Sequence, residues 1–416
     1  MKQFLLPFCL VVLISCSERN KNNPFDPNGD QPLDLRGRSF NKSVELSWSF
    51  PNLTDYTGFN LYRKIEDNEQ FFTRIVELPR NSSSYTDITV EYGNTYNYIV
   101  KIASGNLESR PSNEISVTPG PGFNWILDEN AYRILKTSYD LSYTFLVYDT
   151  YPGRPTDMAV SNYLQTCVIL CTQSGVIHEI DFSGNLKNRY YGIRYPYSVA
   201  YDPVGSLFWI ADSSGALYIL DTNTDNISPV YLSLSKPISI HIAAQQNIIS
   251  IVDVGEKEIV QINRYGYLLS KITSVNGKSL EGPSHYIVDE KNNRSWLIDG
   301  NSNIDYIYTK LAEDEEYFLA DSVLNAGDID ISLSNELAWY VSYNRDRSIV
   351  LQLSADGTRQ LELSYFYNPL DLHVNPYDGS LLVVDSWNGS VIHYDNSNRI
   401  IGKIANLVFP VKVVVQ

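Results

Sequence analysis

The chain is short of basic charge, of cysteine and of long apolar runs, and each shortage narrows what it can do. Lys and Arg number 32 against 48 Asp and Glu, which leaves a net charge of -16 over 416 residues. A nucleic-acid surface needs clustered Lys and Arg to displace phosphate counterions, so no nucleic-acid partner is expected. No apolar run approaches the about 20 residues of a membrane-spanning helix. Only four cysteines are present, and Cys9 and Cys16 fall at the extreme N-terminus. Cys167 and Cys171 stand four residues apart, about 13 Å on a strand, against a limit of about 7 Å between the α-carbons of a disulfide. They read as buried free thiols, and no His or Cys set accompanies them to suggest zinc. A Gly-rich phosphate loop, a nucleophile elbow and a paired Cys motif are also missing, so no catalytic signature is legible. What the chain has in quantity is tyrosine, 31 residues, with β-branched residues in short runs separated by Asn, Asp, Ser and Gly. That composition predicts an all-β fold.

At the N-terminus Lys2 precedes an apolar run from Phe4 to Ile14, and Leu13-Ile14-Ser15-Cys16 places a small residue before the cysteine. The run is too short to span a bilayer and reads as an address that is removed. Residues 1–16 resemble the bacterial lipoprotein signal. The resemblance implies lipidation of Cys16 and a partner in the membrane itself, since acyl chains contribute about 0.8 kcal/mol per buried methylene; a cleaved signal without lipid is the alternative. Ser17 after the cysteine, in place of Asp, points to the outer membrane of a bacterial envelope. Residues 17–31, with Asn22-Asn23-Pro24-Phe25-Asp26-Pro27-Asn28-Gly29-Asp30, show no apolar period and form a tether.

From residue 32 to 121 short period-two stretches recur at Val44–Trp48, Gly58–Lys64, Thr95–Ile102 and Ile115–Pro119, each with one face in and one face out. Trp48 on the second strand, the Leu61-Tyr62-Arg63 strand after it, Tyr85-Thr86-Asp87 and Tyr96 at a tyrosine corner resemble a fibronectin type III β-sandwich. These aromatics are then core residues, and the module carries no adhesive loop.

From residue 123 to 416 the sequence repeats. Strand-opening motifs begin at Pro155, Pro196, Pro237, Pro283, Gly327, Pro369 and Pro410, spaced 41, 41, 46, 44, 42 and 41 residues apart. Each is followed by a second apolar strand ending near Asp, a turn and a third strand, as in Leu207–Asp221, which makes a four-stranded repeat unit. The last motif supplies only a first strand, while Asn124–Leu135 and Tyr143–Tyr148 supply a second, third and fourth with no first. The fragments complete one another, which predicts seven blades closed by pairing the N- and C-terminal strands. The pattern resembles NHL-type repeat propellers, and more loosely the superfamily that includes lactonases and peptide-amidating lyases.

Three sets of side chains are candidates for function or are mistaken for it. The Asp closing the second strand (Asp128, Asp212, Asp253, Asp299, Asp385) is expected to serve the following turn, with Thr172 and Ser342 as weaker substitutes. Two residues on from each opening lie Asp157, Ser198, Ser239, His285, Ile329, Asp371 and Lys412, and four on lie Ala159, Ala200, His241, Ile287, Ile331, His373 and Val414. Both sets face one side, so Asp157, His241, His285, Asp371 and His373 are candidates to converge at one channel mouth on a divalent metal or an anion. The alternative is that each hydrogen-bonds between neighbouring sheets. In the amidating lyases histidines directly follow the opening proline, where this chain has Thr156, Tyr197, Ile238, Ser284, Asp328, Leu370 and Val411, so no catalytic residue carries over. Aromatics gather between repeats, with Tyr151, Tyr195, Tyr197, Tyr365 and Tyr367 as candidates for a rim that binds sugar rings or peptide. Tyr190, Tyr191, Phe366 and Phe409 lie beside them. The acidic run Glu313–Glu316 reads as a solvated loop. The expected function is non-catalytic binding of a protein or glycan without a cofactor; the alternative is a metal-dependent lyase or lactonase.

Overall fold

The computed structural model describes residues 23–26, 33–49, 56–66, 68–300, 304–332, 336–343 and 348–416. Cys16 and the signal lie outside the described residues, as does most of the tether. The described chain is all-β, its one helical turn being a 3₁₀ stretch at Glu129–Ala131. It divides into two compact units, one taking in residues 45–87 and 96–116, the other residues 38–44, 88–95 and 117–416.

Towards the N-terminus a first sheet holds Asp34–Phe40, Ser43–Ser49 and Ser84–Asp87, and a second is built on Gly58–Ile65 and Tyr96–Ser104. Trp48 is buried against Phe59, with ring centroids 5.5 Å apart. Tyr98, fully buried, donates its hydroxyl to Asp87 at 3.0 Å, and Arg63 pairs with the same carboxylate at 2.7 Å. Tyr96 lies two residues earlier with the Arg63 guanidinium 5.0 Å above its ring. A buried carboxylate needs such partners, because unpaired charge in a protein interior is costly.

The C-terminal unit contains seven four-stranded sheets, six of them contiguous in sequence. In the seventh, Pro410–Val415 pairs antiparallel with Asn124–Asp128, so the last strand of the chain joins the first three of this unit. Gln416 reinforces the junction: its side-chain oxygen accepts the Trp125 indole N–H at 3.0 Å, and its amide donates to the Phe123 carbonyl at 2.8 Å. The first strands of successive sheets touch in order, and Pro410–Val415 touches both Pro369–Val374 and Asp157–Ser161, which completes the circuit.

Burial follows position within each sheet. Second strands such as Thr166–Cys171 and Leu381–Asp385 are buried throughout, because neighbouring sheets cover both of their faces. Such strands read as continuous apolar runs rather than alternating ones. Fourth strands such as Leu268–Ile272 are largely exposed. Cys167 and Cys171 both fall on one of these buried second strands and are free thiols. Trp125, Trp209, Trp296 and Trp339 occupy one register position, each facing a first-strand residue (Val414, Ala200, Ile287 and Asp330) and packed between sheets. The longest spacing, before Pro283, is taken up by a small hairpin, Ser274–Val275 with Lys278–Ser279.

One opening is corrected. The strand that the sequence starts at Gly327 begins at Ala326, which pairs with Ser342 as Pro369 pairs with Asp385. A slip of one residue exchanges the two faces of a strand. Asp328 and Asp330, not Ile329 and Ile331, therefore occupy the channel-facing positions of that sheet, and Ile329 is buried in the core.

Candidate functional site

In an antiparallel four-stranded unit, the segment leading into the first strand and the turn between the second and third lie at the same end. At that end the recurrent aspartates do a job beyond the one the sequence suggests. Asp253 accepts the amides of Ser235 and Lys236, each at 2.7 Å. Asp299 accepts those of Glu281 and Gly282, Asp385 those of Tyr367 and Asn368, and Asp212 those of Arg194 and Tyr195. Asp128 accepts those of Val408 and Phe409, and so holds the approach to the closing strand. The carboxylates clamp the connector behind them, and Asp212 and Asp253 also take an amide from the following turn, as the sequence suggests. At Thr172 and Ser342 the contact is reversed: their hydroxyls donate to the carbonyls of Pro196 and Leu324.

Two of the aromatic candidates, Tyr195 and Tyr367, lie on clamped connectors, while Tyr151 precedes an unclamped repeat and Tyr197 and Tyr365 fall in the flanking strands. Tyr151, Tyr195, Tyr197, Tyr365 and Tyr367 are all exposed, from 39 % for Tyr195 to 82 % for Tyr365, whereas Tyr190 and Phe366 are buried in the core. Tyr365 has a backbone φ of 81°, a region that disfavours side chains with a Cβ. Two further rings share this end of the sheets and were not singled out by sequence: Tyr231 on a connector and Trp387 in the turn after Asp385. Five of the six tryptophans are buried, and Trp387 is 73 % exposed. A turn position directly behind a clamping Asp was the signal that could have found it.

The channel candidates do not converge on one mouth. Asp157, His285 and Asp371 line a cavity of about 510 Å³ at the connector end, together with Asp328, Lys412 and Tyr197. His241 and His373 line a different cavity of about 590 Å³, together with Asp330. Positions two and four on from the opening are separated by about 6.6 Å along a strand, so they occupy successive levels of the channel.

At both levels these side chains join neighbouring first strands. Asp157 accepts the Val199 amide at 2.7 Å, Asp328 that of Leu372 at 3.0 Å and Asp371 that of Val413 at 2.8 Å. At the second level Asp330 accepts the Val374 amide at 2.9 Å and His241 Nε2 accepts that of Val288 at 3.0 Å. Each side chain thereby satisfies an N–H on the open edge of the next sheet, where no ladder partner is present. Lys412 pairs with Asp157, His285 Nε2 lies 3.5 Å from Asp328, and His373 Nδ1 lies 3.3 Å from Asp330.

Burial dominates the electrostatics of this wall. It raises the carboxyl pKa of Asp328 and, with the negative charge of Asp328 added, raises that of Asp371 well above the ordinary range. Asp330 is pushed up to about 7 by burial. His241 and His373 are pushed down to about 4 by burial, and His285 is lowered for the same reason, so the imidazoles are neutral at pH 7. For Lys412 burial opposes the charge, but Asp157, Asp371 and Asp328 outweigh it and raise the pKa. Neutral imidazoles suit a metal, yet the carboxylates are committed to amides and to Lys412. Among the described residues no group of three or more His, Cys, Asp or Glu side chains is placed to hold a metal ion.

No known family matches the chain, and no curated protein sequence matches it. Among solved structures it is similar to hydrazine synthase of Kuenenia stuttgartiensis, at 13 % identity and a TM-score of 0.50 over 60 % of this chain and 78 % of that one. It is also similar to a functionally unknown protein from Desulfotomaculum acetoxidans, at 13 % identity and a TM-score of 0.56 over 71 % of this chain and 98 % of that one. A nidogen/laminin complex matches at 15 % identity and a TM-score of 0.46, over 58 % and 95 % of the two chains. At these identities the likeness is one of fold, and the chain has an all-β, propeller-like fold.

Proposed function

We propose that the chain is a lipoprotein of the bacterial envelope in which three segments act in series: a lipid on Cys16, a fibronectin type III-like spacer over residues 32–121, and a seven-bladed propeller over residues 123–416. The propeller binds a protein or glycan at its connector end without catalysis. The lipid anchor rests on the sequence around Cys16, and the blade number on the pairing of Pro410–Val415 with Asn124–Asp128.

One observation carries the binding role. Tyr195 and Tyr367 are exposed rings whose own backbone amides are held by the buried carboxylates of Asp212 and Asp385. Exposed rings on a fixed backbone lose little entropy when a ligand stacks on them, which is the condition for affinity from a small contact area. Propeller folds serve many functions, so the argument rests on these residues and not on the fold.

The test is retention on an immobilised glycan array of the full chain beside a variant with Tyr195→Ala, Tyr365→Ala, Tyr367→Ala and Trp387→Ala. Retention lost in the variant supports the reading, and equal retention of both chains counts against it. Labelling with a radioactive fatty acid, abolished by Cys16→Ala, tests the anchor.

A further inference from the structure

From the cavity at the connector end of the channel, we infer a binding site for a primary ammonium group carried on a short alkyl stem, supplied by a free amine or by a lysine side chain of a bound protein. Where a protein supplies it, the inference rests on the connector-face reading. The site itself does not, since none of Tyr195, Tyr365, Tyr367 and Trp387 lines this cavity of about 510 Å³.

A repeated irregularity in the sheets builds the site. Pro196 pairs with Asp212 while Ser198 pairs with Ala211, so Tyr197 is an extra residue bulged out of the ladder. The same step recurs at Ile238, Ser284, Leu370 and Val411. All five extra residues line the cavity, and so does the residue after each. The extra residues form a collar that is largely apolar through Tyr197, Ile238, Leu370 and Val411. The residues after them, with Asp157 and Asp328, form a polar ring to which each of the seven sheets gives one side chain: Asp157, Ser198, Ser239, His285, Asp328, Asp371 and Lys412.

Most polar groups of the cavity already have partners. Asp157 takes the Val199 amide and Lys412, Asp328 takes the Leu372 amide, and Glu129 pairs with Arg154 at 3.1 Å. Tyr343 donates its hydroxyl to the Pro369 carbonyl at 2.6 Å, the Thr156 hydroxyl lies 2.6 Å from that of Thr172, and the Ser284 hydroxyl lies 3.1 Å from His285 Nδ1. Three acceptors are left among the described residues. Asp371 receives the Val413 amide on Oδ2 and no hydrogen bond on Oδ1, and the hydroxyls of Ser198 and Ser239 make none. Ser198 is only 8 % exposed, and a hydroxyl buried to that degree without a partner is uncommon.

Charge sets the sign of the ligand. Accepting an amide N–H leaves a carboxylate negative, so among the described residues Asp157, Asp328 and Asp371 face the one ammonium of Lys412, while burial keeps His285 neutral. Burial and the neighbouring Asp328 hold the Asp371 carboxyl well above the ordinary range, as expected of a ring short of positive charge. An anion would add to the excess and a neutral group would leave it in place. An ammonium relieves it, and its alkyl stem lies along the collar.

Calorimetric titration of the full chain at pH 8 with pentylamine, pentanoate and 1-pentanol tests the charge, because the three share one stem. The amine is expected to bind once per chain and at least about tenfold more tightly than either of the others. Asp371→Asn keeps an acceptor for the Val413 amide but removes the charge, and Ser239→Leu fills the cavity from a side chain that makes no hydrogen bond. Each is expected to weaken the amine about tenfold or more, and if Asp371→Asn fails to fold, Ser239→Leu decides alone. The variant lacking the four rim rings is expected to bind the amine as the parent does, which separates this site from the rim. Nα-acetyl-lysine methylamide tells the two sources apart: its binding assigns the group to a protein side chain, and binding of pentylamine alone assigns it to a free amine. No binding of pentylamine, equal or tighter binding of pentanoate or pentanol, an amine affinity unchanged in Ser239→Leu, or its loss in the rim variant would overturn the proposal.

Discussion

Asp385 holds the backbone of Tyr367: both oxygens of its fully buried carboxylate lie 3.2 Å from the Tyr367 amide, and one also accepts the amide of Asn368 at 2.8 Å. A residue with no exposed surface thus anchors the backbone beneath a ring that is 69 % exposed. Asp385→Ala leaves two amides without their acceptor and is expected to cost about 2–3 kcal/mol in urea unfolding, while Asp385→Asn, which keeps one acceptor oxygen, costs less. Both variants should also weaken ligand binding at Tyr367, although neither touches the ligand.

Closure makes a second prediction. Removing Pro410–Gln416 strips the pairing partner from Asn124–Asp128 and exposes Ile126 and Trp125, which are fully buried in the intact chain. The truncated chain is expected to lose more than about 5 kcal/mol, well beyond a typical point substitution. Thermal unfolding followed by circular dichroism reads this, and a truncated chain that melts with its parent would remove the seventh sheet from the account.

The channel wall should leave a mark on the pH dependence of stability. Asp330 titrates near 7 in the folded chain against an ordinary value of 3.8, so its contribution is fully present below about pH 4 and is lost as pH rises to about 7. His241 and His373 act in the opposite sense: their contribution is present above about pH 6.5 and is lost as pH falls toward 4. Asp330→Asn removes only the first of these. The stability of the variant relative to the parent is expected to rise by roughly 2–4 kcal/mol between pH 4 and pH 7 and to stay level above that. Urea midpoints measured across this range give the slope, which is separate from any constant cost of the substitution.

Much of this architecture was legible because it repeats. The Pro-initiated strands at Pro196, Pro237, Pro283, Pro369 and Pro410 begin where the sequence places them, and the unfinished last repeat foretold its pairing with Asn124–Asp128. Where the marker was missing, at Ala326, the register slipped by one and hid Asp328 and Asp330 behind two isoleucines. The channel candidates share a face, but sequence carries no measure of height along an axis, so His241 and His373 were grouped with residues of another level. Trp387 escaped because tryptophan usually fills a core, and only the turn geometry shows it outside.

Tyr365 should separate stability from function. Its left-handed backbone, φ 81°, favours glycine. Tyr365→Gly is expected to raise stability by about 1 kcal/mol while lowering ligand affinity, since the substitution relieves strain and deletes a ring. Parallel unfolding and binding measurements on the one variant check both signs.

The connector-face claim is tested most directly by site-specific photo-crosslinking in the living host. A photoreactive amino acid is placed singly at Tyr195, Tyr365, Tyr367 and Trp387, and as controls at Tyr163 and Tyr265, exposed rings in turns at the opposite end of the sheets. The account predicts a discrete adduct at the four connector-end positions and none at the two controls. Adducts at Tyr163 and Tyr265 with none at the other four would contradict it.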